Sequence, residues 1–472
     1  MLLLAGLLAI HTKTAVASFP GIEGRVVFAN GDATSQLYVV SPQQPTPTPL
    51  GRDPVVGFSP RWSPDGTKLA FVSERDGDAE LYSVTANGID EERLTQNAVP
   101  DLHPSWTKDG LGIVFQRGTG ASAEIYSLDS ASGVARRLTR NRRSDYDPAT
   151  APTGRWLVFG RSGHLFKMTL GGRRLKRLTS GPGLDSQPAW SPAGAGIVFV
   201  RSNGTESDLY LVNANGRALK RLTATPGRGE SSPAWSPGGD KIVFRACASS
   251  PAACQLYVVN ADGTGERPLV ERGVDGEQPD WQALPATRSW NADADFFLAP
   301  NNRNPGPDAW GETTWSYLYS DTFAHDPATY HLFPKYEITD ANRQSWVLPG
   351  FVNLVVATVV SPQMLILHPW GGRVQGYGRN AVLGWRSPVT GRVTVTGTIR
   401  LPSLNECAVG SGALWSIDKG ATVLQSGALP AGGSASFNVA VDASLGESIY
   451  FVWDTGWDGN CDSGSLELTV AQ

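Results

Sequence analysis

The sequence predicts an all-β protein: a six-bladed β-propeller followed by a jelly-roll-type β-sandwich. Three observations carry that reading. Gly 53 and Pro 33 make turns dense in a chain of 472 residues, and such a composition disfavours long helices. A phrase of four short strand signals recurs through the first 285 residues. Beyond it the pattern changes to longer, strictly alternating strands. Apolar residues at 40%, with 15 Trp, supply a core and exclude disorder. A net charge of −4 excludes a whole-chain basic footprint for nucleic acid.

Leu2 to Ile10 form an apolar run that is too short to span a bilayer. Ala15-Val16-Ala17 follows as a small-residue cleavage signal. Residues 1–17 therefore read as a signal peptide, although no Lys or Arg precedes the run. Export, to the periplasm or the cell exterior, permits disulfides. Proximity favours Cys247 with Cys254 and Cys407 with Cys461, while spacing alone leaves three connectivities open. The mature chain has no other apolar run long enough to span a membrane, so stable insertion is not expected.

The repeat opens as Pro60-Arg61-Trp62-Ser63-Pro64-Asp65-Gly66 and continues through Leu69-Ala70-Phe71. It returns at Pro104-Ser105-Trp106, Pro148-Ala149-Thr150, Pro188-Ala189-Trp190 and Pro233-Ala234-Trp235. The steps between the Trp positions, with Thr150 in the third copy, are 44, 44, 40 and 45 residues. Each copy adds an apolar-aromatic pair such as Leu81-Tyr82 and, in four of them, Arg-Leu-Thr, as at Arg93-Leu94-Thr95. Pro64-Asp65-Gly66 is turn chemistry, Pro presetting φ and Gly relieving the exit. Four strands at this period match a propeller blade. A sixth copy stops after Pro279-Asp280-Trp281, and the N-terminus holds the missing strands, Arg25 to Phe28 and Leu37 to Val40. Joining the two ends closes a ring over residues 24–285 and removes an open sheet edge.

Trp-Ser-Pro-Asp-Gly, the apolar-Phe strand and Leu-Tyr together resemble the WD40-like PD40 repeats of TolB-type propellers. That family includes a periplasmic scaffold with an α/β domain ahead of its propeller. No such domain precedes the repeats here, so the resemblance implies a propeller that binds protein or peptide and no particular partner.

Three residues before the repeat Pro stand Asp101, Asp145, Asp185 and Glu230, with Asp275 near the sixth copy. Equivalent positions lie on a ring, and a carboxylate ring attracts a cation, an amine or a basic peptide. Capping of each blade's own turn is the competing role. His103, beside Asp101, reaches toward the same rim. The sequence has no G-x-S-x-G elbow, no H-E-x-x-H and no P-loop, the signatures of common hydrolases and nucleotide enzymes.

From residue 290 to 472 the composition changes, and nine of the Trp fall here. Gly391 to Ile399 alternates with period two, a half-buried strand. Ser436 to Val441, Ser448 to Val452 and Leu466 to Val470 follow. Leu383 to Pro388, Phe451 to Asp454 and Asn460 to Ser463 resemble accessory β-sandwich modules of secreted bacterial proteins, which are similar to carbohydrate-binding ones. Most of the Trp serve core packing. Trp310, Trp315 and Trp370, with His368 nearby, are the candidates for stacking on sugar. Asp454, Asp458 and Asp462 are candidate Ca²⁺ ligands; otherwise no cofactor is expected.

The expected function is a secreted, non-enzymatic binding or scaffold protein. Propeller loops and channel take a protein or peptide, and the sandwich takes a glycan or an envelope component. The alternative is a polysaccharide-acting lyase or hydrolase with the sandwich as targeting module.

Overall fold

The computed structural model describes residues 19, 21–30, 35–41, 44–51, 53–249, 252–270 and 275–291. Beyond them it describes 306–307, 310, 313–320, 327–332, 335–340, 343–347, 355–361, 364–367, 381–401, 413–430, 432–454 and 464–472. The proposed signal peptide lies outside these residues. The chain divides into two compact units, Met1–Ala286 and Thr287–Gln472.

The first unit consists of six four-stranded antiparallel sheets. Blade one runs Phe58–Trp62, Lys68–Ser73, Glu80–Thr85 and Glu92–Arg93. Blades two, three, four and five begin at Asp101–Trp106, Asp145–Thr150, Leu184–Trp190 and Arg228–Trp235. Blade six joins the two ends: Gly276–Leu284 pairs with Ile22–Asn30, and Leu37–Ser41 and Gln44–Pro49 follow outward. Val26 stands opposite Trp281 and Val27 opposite Asp280. The ring therefore closes through hydrogen bonds between segments some 250 residues apart, as the half-repeats predict.

Each blade is built the same way because each carries the same signals. At the first turn of blade one, the Ser63 hydroxyl donates to Asp65 at 2.6 Å and Gly66 N–H to the Ser63 carbonyl at 2.9 Å. Gly66 has φ +70°, and a Cβ there would meet the Ala283 carbonyl oxygen at 2.5 Å. Only glycine fits that turn without strain. The second and third strands face each other through one aromatic pair per blade, from Phe28–Tyr38 at 6.0 Å to Phe244–Tyr257 at 5.9 Å between ring centroids. Six apolar clusters fill the six junctions between neighbouring blades. Each fully buried Phe contributes about 1.5–3 kcal/mol by leaving water. Phe28, Phe71, Phe115, Phe159, Phe199 and Phe244 are all fully buried.

The second unit is a sandwich of two antiparallel sheets, of eight and seven strands among the described residues. The chain crosses between the sheets: Ala381–Arg386 lies in one, Gly391–Arg400 in the other, Ala413–Lys419 in the first again. The alternation read at Gly391 to Ile399 is realised with Val393, Val395 and Ile399 buried. Trp290, Trp315, Trp385, Trp415 and Trp453 make the core between the sheets. This is where much of the tryptophan excess goes.

Candidate functional site

The carboxylates read as a ligand ring are internal latches. Asp101, Asp145 and Asp185 are 0% exposed and Glu230 1%. Each is neutralised by an arginine of its own blade. Arg117 Nε and Nη2 grip Asp101 at 2.7 and 2.7 Å, Arg161 grips Asp145 at 2.5 and 2.7 Å, and Arg201 grips Asp185 at 2.6 and 2.9 Å. In blade five the arginine comes from the first strand instead: Arg228 Nη2 holds Glu230 at 2.8 Å. Burial pushes the Glu230 carboxyl up, against the pull of Arg228 and Thr223. These guanidiniums also lie over the aromatic pairs, Arg161 at 5.1 Å from Phe159 and 5.5 Å from Phe166, where cation and ring attract. Asp275 is more open, with its side chain 43% exposed and paired to Arg245 at 2.9 Å. A carboxylate both buried and paired has its charge met within its own blade.

In blades two to six the channel is lined by a different position, the residue immediately before the repeat proline; Ser59 holds that position in blade one and is buried. Ser59, His103, Asp147, Gln187, Ser232 and Gln278 all have positive φ, between 49° and 53°. Each innermost strand is bulged there, its register with the second strand slipping across that residue. A bulge re-aims side chains. Non-glycine residues with positive φ store strain that surrounding structure must hold. Here the holding is done by hydrogen bonds between successive blades. Gln278 Oε1 accepts Ser59 N–H at 2.8 Å, Asp147 Oδ2 accepts Gln187 N–H at 2.9 Å, and Gln187 Oε1 accepts Ser232 N–H at 2.7 Å. His103 Nε2 stands 3.5 Å from Asp147 Oδ1, with the two side chains 31% and 15% exposed.

Across the channel, Arg61 donates to the carbonyls of Pro60 at 2.8 Å and Gln278 at 3.4 Å. Asp280 Oδ2 accepts Trp62 N–H at 2.8 Å. Burial pushes the Asp280 carboxyl up to about 6, against the pull of Arg61 and of the Trp62 and Trp281 backbone N–H groups. These residues surround a cavity of about 100 Å³, which Phe19 also lines. That is room for several waters or one inserted side chain. The repeat Trp side chains brace its wall: Trp106, Trp190 and Trp235 donate Nε1–H to the preceding blade's Arg61, Ala149 and Ala189 carbonyls at 3.0, 3.1 and 3.2 Å. In contrast, Trp62 Nε1 and Trp281 Nε1, which flank the closing seam, are buried with no hydrogen-bond partner among the described residues.

Of the six ring positions, only His103 was singled out by sequence reasoning. The missed signal was a polar residue directly before the proline in every copy. The other predicted residues fall elsewhere. Trp315 is 1% exposed within the sandwich core, so its face is not available to a sugar. Trp310 packs edge-on against Trp290 at 6.2 Å, and Arg288 lies 5.6 Å over its ring. His368, Trp370, Asp458, Asp462, Cys407 and Cys461 lie outside the described residues. Asp454 ends the strand Ser448–Asp454. Among the described residues no group of three His, Cys, Asp or Glu is placed to hold a metal ion. Cys247 and Cys254 form a disulfide across one register position of blade five, Cα atoms 4.0 Å apart.

A closed ring of PD40-type blades around a polar channel defines a propeller of the TolB class. The family model described as the TolB beta propeller domain matches residues 26–230 and 161–284. Together these cover more than half of the chain, and the protein belongs to that family. Comparison with curated proteins finds no match. Among solved structures, the chain is similar to TolB from Acinetobacter baumannii, with 22% identity over 55% of this chain and 67% of that one, at a TM-score of 0.49. It is similar to the oligogalacturonate lyase of Vibrio parahaemolyticus, with 12% identity over 54% and 79%, at 0.40. It is also similar to Kuenenia stuttgartiensis hydrazine synthase, with 13% identity over 96% and 69%, at 0.49. All three likenesses are weak, and none speaks to activity.

Proposed function

We propose that the protein is an exported, non-enzymatic binding or scaffold protein whose propeller channel receives a peptide segment of a partner protein. The observation that carries this is the convergence of five strained polar residues, from blades two to six, on one channel. His103, Asp147 and Arg61 bring both signs of charge to it. A peptide offers donors, acceptors and charged side chains, and matches such a lining better than an apolar ligand does. The membership in a TolB-type propeller family supports the binding role. Export is supported by the pattern of residues 2–17 and by the Cys247–Cys254 disulfide, a bond that persists in oxidising compartments. No helix among the described residues is long and apolar enough to cross a membrane. In this reading the sandwich takes a glycan or an envelope component. Its open groove at Lys419, Thr422, Glu447 and Tyr450 is the place to look.

The test is a displayed random-peptide library panned against the intact chain. Binders should lose about tenfold or more in affinity on His103→Ala with Asp147→Asn, the scale of a lost charged hydrogen bond. Binders indifferent to both changes would sink the proposal. Turnover of an oligosaccharide by the propeller would favour the polysaccharide-acting enzyme instead.

A further inference from the structure

The outer rim of blades two to four presents a row of exposed aliphatic side chains. Its outermost strands, Ala135–Arg137, Lys176–Arg177 and Lys220–Arg221, each pair with one neighbour only. Leu175 and Leu219 occupy the same repeat position at the start of such strands, and Val134 lies one residue earlier in its copy. They are 49%, 47% and 64% exposed. Leu111, from the first hairpin of blade two, is 67% exposed. Its carbonyl accepts Ser130 N–H at 3.0 Å, which sets it beside the same turn.

Positive charge flanks Leu175 and Leu219, while exposed Asp129 stands in the turn of Val134. Arg173, Arg174 and Lys176 flank Leu175, Arg217 and Lys220 flank Leu219, and all five are exposed. The sequence has no carboxylate between Asp147 and Asp185, nor between Asp208 and Glu230. Among the described residues Arg173, Arg174 and Arg217 form no salt bridge. The rim is continuous: Lys176 Nζ donates to the Asn215 carbonyl of the next blade at 3.1 Å, and Lys220 Nζ to the Asp262 carbonyl at 2.6 Å. Blades one and five end the stripe, with Glu91 and Glu266 at the position of Leu175 and Leu219.

We propose that this rim docks the propeller on an anionic lipid surface, Leu175 and Leu219 entering the headgroup region and the basic side chains facing lipid phosphates. Aliphatic side chains set among Arg and Lys are the chemistry of interfacial attachment. The outer edge of a closed ring is convex, which suits a broad surface and not a ligand that needs a groove. An acidic polymer would use the charges and leave the leucines in water. The proposal is independent of the channel, which lies at the other end of each blade.

The experiment is co-sedimentation of the full chain with phosphatidylcholine vesicles, with and without phosphatidylglycerol. Binding should require phosphatidylglycerol and weaken with salt. Arg173→Ser, Arg174→Ser and Arg217→Ser together should cost about a hundredfold, at roughly fivefold per residue. Leu175→Ser with Leu219→Ser should cost about tenfold and leave the salt dependence unchanged. All five positions are exposed, and an unchanged melting temperature shows that each variant is folded. Equal sedimentation with both vesicles, or an unaffected leucine variant, would overturn the proposal. So would soluble polyglutamate binding the chain while vesicles do not, which points to an acidic protein.

Discussion

Replacing Arg161 by Ala should destabilise the propeller by about 3–5 kcal/mol. The magnitude follows from what is left behind. Asp145 is fully buried, and the Arg161 side chain is 11% exposed. Two hydrogen bonds of 2.5 and 2.7 Å join them. With Arg161 gone, among the described contacts only Asn141 Nδ2, at 2.8 Å, still donates from a side chain to the carboxylate. A buried charge without its partner is far costlier than a missing pair. The double change Arg161→Met with Asp145→Leu should therefore cost less than Arg161→Ala alone. Urea denaturation of the full chain, followed by tryptophan fluorescence, reads the shift. As a control, Arg400→Ala breaks a pair 3.7 Å long whose side chains are 60% and 53% exposed, and should leave the midpoint unmoved. If Arg161→Ala falls within about 1 kcal/mol of the parent, the latch role of the buried carboxylates is wrong.

Two further outcomes follow from the same geometry. Folded Asp280 keeps its proton up to about pH 6, whereas an unfolded aspartate loses it near 4. The folded state therefore binds more protons between those values, and stability falls as pH rises across the window, by roughly 3 kcal/mol. Asp280→Asn should remove that slope, which a comparison of the two proteins' denaturation midpoints from pH 4 to 7 reads directly. Cys247→Ser with Cys254→Ser opens a cross-link spanning 7 positions and should cost about 2 kcal/mol, seen as a lower melting temperature that added reductant does not lower further.

The propeller was legible in the sequence because its signals are local and repeated. A turn such as Pro64-Asp65-Gly66 and a Trp, or Thr150 in the third copy, every 40 to 46 residues specify a blade, and half-repeats at the two ends specify closure. The channel was less legible. Strict alternation puts Asp101 and His103 on one face of a strand. The bulge at His103 breaks that alternation, sending Asp101 into its blade and His103 toward the channel. No residue type announces such a bulge, since Ser, His, Asp and Gln all occupy it. In the sandwich, Trp315 and Trp310 read alike as sequence. Only the pairing of Trp315 with Trp385 on the inward face reveals that Trp315 is core.

The most direct test of the channel as the recognition site is hydrogen–deuterium exchange of the full chain with and without a selected peptide. Protection confined to the innermost strands, such as Asp101–Trp106, Asp145–Thr150 and Leu184–Trp190, is the expected result. Protection confined to the outer strands or to the sandwich would contradict it.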